Sequence, residues 1–126
     1  MLEKTILLIE DDDVLRKIIK EFLEESEYVV LKAKDGLEGI EMINKEAFDL
    51  IIVDVVLPHV SGIGVIEIAK TRYPEIPIIC ITGYGYFPEK LAEEKHADIV
   101  LNKPFELKKL VEVIETLLEQ KAGRNT

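Results

Sequence analysis

The residues best suited to chemistry stand at the ends of short apolar runs. Leu50-Ile51-Ile52-Val53 leads without a break into Asp54, and Val55-Val56-Leu57-Pro58 follows. An unbroken apolar run of this kind is the mark of a strand buried on both faces. Its C-terminal end is where open α/β sheets place their ligands, so Asp54 is the candidate reactive group. Glu10-Asp11-Asp12-Asp13 directly follows another apolar run, Thr5 to Ile9. If these two strands are neighbours, Glu10, Asp11 and Asp54 meet. Carboxylates crowded together repel one another unless a cation neutralises them. A hard divalent ion answers that need, and Mg²⁺ suits the site better than Ca²⁺ because few protein ligands are on offer and Mg²⁺ keeps waters. Taken alone, the acidic run reads equally well as a helix N-cap with favourable dipole charges. The second carboxylate at the neighbouring strand end tips the balance.

Thr82 ends a further apolar run, and Lys103-Pro104 follows the last one. Alone, Thr82 is an ordinary β-branched strand residue and Lys103 a solvated lysine. Together with Asp54 on one sheet edge they offer a hydroxyl, an ammonium and a carboxylate-metal centre. That set suits a transferred phosphoryl group, with Lys103 as a point charge and Thr82 as a hydrogen-bond donor.

Five strands and five helices must position these groups. The strands are expected at Thr5 to Ile9, Tyr28 to Leu31, Leu50 to Val53, Ile78 to Thr82 and Ile99 to Leu101. The first helix, Asp13 to Ser26, carries Leu15, Ile18, Ile19, Phe22 and Leu23 on one face. Asp12 or Asp13 caps it. Asp35 opens the second, with Glu38 three residues on in a capping-box-like pattern and Leu37, Ile40 and Ile43 facing inward. Ser61-Gly62 caps a third helix, from about Ile63 to Tyr73. Pro88 suits the first position of a short helix reaching about Lys95. The last helix spans Glu106 to about Lys121, with Leu107, Leu110, Val111, Ile114, Leu117 and Leu118 inside. Such alternation predicts an α/β fold, a single doubly wound five-stranded parallel sheet of flavodoxin-like order 2-1-3-4-5.

The 126 residues suit one domain, expected over 1–121 with a flexible tail at 122–126. The formal net charge of −9 argues against binding nucleic acid or an anionic membrane surface and favours cations and basic partners. No apolar run approaches a membrane span, and the first residues are not those of a signal peptide. The one cysteine, Cys80, lies within an apolar run and reads as a buried, inert thiol. A cytoplasmic, reducing setting is the expectation.

These pieces together resemble the receiver domains of two-component response regulators, from Ile6 to about Leu118. The resemblance rests on Leu8-Ile9-Glu10-Asp11-Asp12, Asp54 through Pro58 with Ser61-Gly62, Ile81-Thr82-Gly83 and Lys103-Pro104-Phe105. It implies that Asp54 is the phosphoacceptor. Glu10, Asp11, Asp54 and the Val56 backbone carbonyl would hold Mg²⁺, and Asp12 falls to the helix cap. Thr82 would be the switch hydroxyl and Lys103 the phosphoryl-binding lysine, with a Lys103–Pro104 bond that is often cis in the family. The implied function is a stand-alone signalling switch rather than an enzyme acting on other molecules. It takes a phosphoryl group from a phosphohistidine of a histidine kinase or phosphotransfer protein and presents a changed surface, on the helix from Pro88, the fifth strand and the last helix, to an unidentified downstream protein.

The sequence departs from the family pattern at several places. Val100 stands where an aromatic switch is frequent, leaving Tyr84, Tyr86 or Phe87 as substitutes. Gly83 replaces a common alanine, His96 replaces a common glycine, and the stretch from Thr82 to Lys103 is one residue short. Val56 and Tyr84, two residues beyond Asp54 and Thr82, cannot orient water with a carboxylate or amide, which predicts slow self-dephosphorylation. His59 reads as a solvated loop residue. Two other functions compete. A phosphohydrolase working through an aspartyl-phosphate would want a second acid where Val56 stands. A flavodoxin-like nucleotide binder would want glycines in place of the acidic loop at Glu10 to Asp13.

Overall fold

Asp12 leaves the first strand in an extended conformation, and its side chain accepts hydrogen bonds from the Val14 and Leu15 amides. This cap starts α1 (Asp13–Glu25) directly after β1 (Thr5–Ile9). The computed structural model describes residues 3–83 and 97–124. In chain order, β2 (Val29–Ala33), α2 (Gly36–Lys45), β3 (Leu50–Asp54), α3 (Gly62–Arg72), β4 (Ile78–Thr82), β5 (Ile99–Asn102) and α4 (Leu107–Arg124) follow. The five strands form one parallel sheet in the order β2-β1-β3-β4-β5, as expected.

Caps set the other helices too. Asp35 accepts from the Glu38 amide at 2.8 Å, while the Glu38 carboxylate reaches back to the Lys34 amide at 3.3 Å, one residue earlier than a capping box would place it. Ser61 Oγ accepts from the Gly64 amide. Gly62, the first residue of α3, lies so close to β3 that a Cβ there would collide with the Asp54 carbonyl oxygen.

The sheet separates two cores. Leu7, Ile51 and Val53 face Ile43 of α2 and Val65, Ile66 and Ala69 of α3. Leu8, Leu50 and Ile52 face Ile19 and Leu23 of α1 and Leu110, Ile114 and Leu117 of α4. Every residue of β3 is buried, which is why its apolar run is continuous rather than alternating.

Some expectations need correction. Strand β2 begins at Val29 and extends to Ala33, because all five of its residues pair with β1. Helix α4 continues past Lys121 to Arg124. Ile18 and Leu37, expected inside, are 45% and 50% exposed. Each lies at the margin of its helix's apolar stripe, beyond the arc that touches the sheet. Residues 84–96, with the short helix from Pro88 and Tyr84, Tyr86, Phe87 and His96, lie outside the described residues. No helix among the described residues is long and apolar enough to cross a membrane.

Candidate functional site

Strand register levels the reactive groups. Ile9 pairs with Val53, Asp54 with Ile81, and Thr82 with Asn102. Glu10, Asp54, Thr82 and Lys103 therefore emerge at one edge of the sheet, from four strands. Glu10 and Thr82 are fully buried and Asp54 nearly so.

Lys103 is the centre of the polar contacts. Its Nζ donates to Asp54 Oδ2 at 2.6 Å and lies 3.1 Å from Glu10 Oε1. The second approach is an ion pair, and Glu10 Oε1 is buried without a further hydrogen-bond partner among the described residues. Asp54 Oδ1 accepts from the Val56 amide at 2.9 Å, and Glu10 Oε2 from the Asp12 amide at 3.1 Å. The Lys103 amide donates to the Thr82 carbonyl at 2.7 Å, which ties β5's exit to β4's. The Lys103–Pro104 peptide bond is cis.

Charge follows from this packing. Burial pushes the Glu10 carboxyl up to about 7, and the Asp54 charge adds to the rise. The Asp12 amide and Lys103 offset only part of it. Burial alone would lower the Lys103 ammonium, but pairing with the two carboxylates outweighs that and raises it. Burial, with Asp54 nearby, pushes the Cys80 thiol up to about 12, in keeping with an inert side chain.

Glu10, Asp11 and Asp54 each offer a carboxylate oxygen, all within 4.8 Å of one another. Three hard oxygen donors, one of them a buried orphan, fit a small divalent cation. Val56, expected to contribute its carbonyl, is 57% exposed beside this cluster. Thr82 is placed on the same edge by register, and among the described residues its hydroxyl makes only a 3.4 Å contact with the Gly83 carbonyl. The sequence reading passed over Arg16, which donates to the Glu10 carbonyl at 2.8 Å. An arginine four residues after the N-cap was the available signal, since helical side chains lean towards the N-terminus.

The family model of the response regulator receiver domain matches residues 6–115. The chain is 34% identical over 116 residues to the response regulator receiver protein CpdR of Brucella abortus, covering 91% of this chain and 97% of that one. It is 31% identical to the response regulator MprA of Mycobacterium leprae, of which it spans 51%. A CheY-like receiver domain protein from Methanospirillum hungatei superposes with a TM-score of 0.93 at 29% identity, covering 98% of this chain and 99% of the other. Fold, sheet-edge cluster and sequence agree, and the chain belongs to the family of response regulator receiver domains of two-component systems.

Proposed function

We propose that the domain is a phosphorylation-controlled switch in which Asp54 accepts a phosphoryl group from a phosphohistidine of a histidine kinase or phosphotransfer protein. The observation that carries this reading is Lys103 Nζ lying 2.6 Å from Asp54 Oδ2, beside the orphaned oxygen of Glu10. A carboxylate oxygen of Asp54 attacks phosphorus in line. The phosphorus–nitrogen bond breaks, and the imidazole nitrogen takes the bonding pair. Lys103 offsets charge on the phosphoryl oxygens as they arrive, and Thr82 at the neighbouring strand end supplies a hydroxyl to the product. Glu10, Asp11, Asp54 and the Val56 carbonyl would hold Mg²⁺, which would neutralise the carboxylates and the phosphoryl oxygens. The cytoplasm, where kinases of this type spend nucleotide, is the proposed location. The exposed, apolar Val56 offers no second acid for turnover of small phosphate esters.

The test is intact mass after incubation with acetyl phosphate, with and without Mg²⁺, for the native chain and Asp54→Asn. The expected result is one phosphoryl adduct that needs both Mg²⁺ and Asp54. An adduct that persists in Asp54→Asn would move the acceptor elsewhere. Continuous release of inorganic phosphate at many turnovers per minute would favour a phosphohydrolase.

A further inference from the structure

Asp11 is exposed, and no hydrogen bond holds its carboxylate among the described residues. What is fixed is the position and direction of its Cα–Cβ bond, and these are set by the backbone that carries it. That backbone is the short turn between Ile9, the last residue of β1 paired with β3, and the Asp12 cap. Glu10 still donates its amide to the Ala33 carbonyl of β2 at 3.1 Å. Its own carbonyl lies beyond the β1–β3 ladder. Arg16 fills that gap: Nη1 donates to the Glu10 carbonyl at 2.8 Å, and Nη2 to Asp13 Oδ1 at 2.5 Å. The guanidinium is planar, so two bonds fix its orientation as well as its position. Although cationic, the side chain is only 15% exposed.

The Glu10 carbonyl belongs to the same peptide unit as the Asp11 amide, and rotating that unit swings the Asp11 side chain. Holding the carbonyl therefore holds the Cα–Cβ bond from which the Asp11 carboxylate reaches the site. Glu10's side chain is held separately, through Oε2, by the Asp12 amide. The turn is thus clamped twice from the start of α1, once by a side chain and once by a backbone amide.

We infer that Arg16 is a positioning residue for the divalent cation site, fixing the Glu10–Asp11 peptide so that the Asp11 carboxylate converges with those of Glu10 and Asp54. The inference rests on the metal reading given above. It carries an unusual sign. Arg16 is a positive charge close to a cation site, so its removal should tighten cation binding if charge alone mattered. A positioning role predicts the opposite. Groups that orient metal ligands typically change affinity by about 10–100-fold when removed. Asp13 partly neutralises the guanidinium, which lets the clamp operate at small electrostatic cost.

The experiment measures Mg²⁺ dissociation constants by calorimetry for the native chain, Arg16→Ala, Arg16→Lys and Lys17→Ala. Lys17 is an exposed neighbour on the same helix with the same charge. Urea unfolding in EDTA for each variant checks that the folded population is unchanged. The expected result is about tenfold weaker Mg²⁺ binding for Arg16→Ala. Arg16→Lys, which keeps the charge but cannot fork, should recover only part of the loss, and Lys17→Ala should stay within about twofold. Arg16→Ala that binds Mg²⁺ as tightly as Lys17→Ala, or more tightly than the native chain, overturns the inference. A native chain that fails to bind Mg²⁺ instead removes the metal reading itself.

Discussion

At the scale of single residues, Glu10 is where burial and charge conflict. Its carboxyl is fully buried, and burial with the Asp54 charge beside it raises its pKa from 4.5 to about 7. Between those values the folded protein keeps a proton that the unfolded chain releases. Without divalent cations, the Glu10 contribution therefore lowers stability as pH rises from about 4.5 to about 7, with no further loss above that. Glu10→Gln should flatten this slope and raise stability at pH 8 by on the order of 2 kcal/mol in EDTA. Urea titrations at pH 5 and pH 8 test it; a variant with the native slope would refute the electrostatic account. Val56 is the second telling residue, apolar and exposed next to Asp54. Val56→Asn combined with Tyr84→Glu should shorten the lifetime of the phosphorylated form about tenfold, equivalent to about 1.4 kcal/mol of barrier. Decay of the adduct by intact mass is the readout, and an unchanged lifetime counts against water access as the limiting factor.

At the scale of elements, the approach of α3 to β3 is the most demanding fit. A Cβ on Gly62 would collide with the Asp54 carbonyl oxygen and come within 2.7 Å of Val55 Cα, both backbone atoms that cannot step aside. Gly62→Ala should cost about 1–3 kcal/mol and slow phosphorylation by displacing Asp54. Gly64→Ala meets side chains rather than backbone, Val60 at 3.1 Å and Ser61 Oγ at 3.8 Å, and gains helix propensity, so it should be close to neutral. Equal stabilities of the two variants in urea would show that the close approach is not limiting. The same scale shows what the sequence could reveal. Thr5 to Ile9 and Ile78 to Thr82 were legible to the residue, because apolar runs end abruptly at Glu10 and Gly83. Helical faces were legible in direction but not in width. Periodicity assigns Ile18 and Leu37 to apolar stripes, yet only the central arc of each stripe meets the sheet.

For the molecule as a whole, five apolar runs with intervening helices pointed to a parallel sheet, since parallel neighbours need crossovers and the alternation supplies them; the observed order is the flavodoxin-like one that five strands at this length suggest. The order alone then brings Glu10 and Asp11 beside Asp54. The juxtaposition was readable because each group stands just past its strand. Less readable were the contacts that depend on side-chain paths: the Arg16 reach to the Glu10 carbonyl, the Lys103–Glu10 ion pair and the Glu10 oxygen buried without a further hydrogen-bond partner. These need angles and distances that residue types do not encode.

The partnership of Lys103 with Asp54 joins residues 49 positions apart, and the lysine follows the last strand of the sheet. A ribosome makes the acidic side of the cluster well before its counter-cation. A growing chain that has paired β1 with β3 thus holds adjoining carboxylates and no ammonium to quiet them. The lysine joins them only when β5 docks. On the proposed function, competence to carry a signal would be a late product of synthesis, since a copy that stops short of residue 103 lacks the lysine that pairs with Asp54.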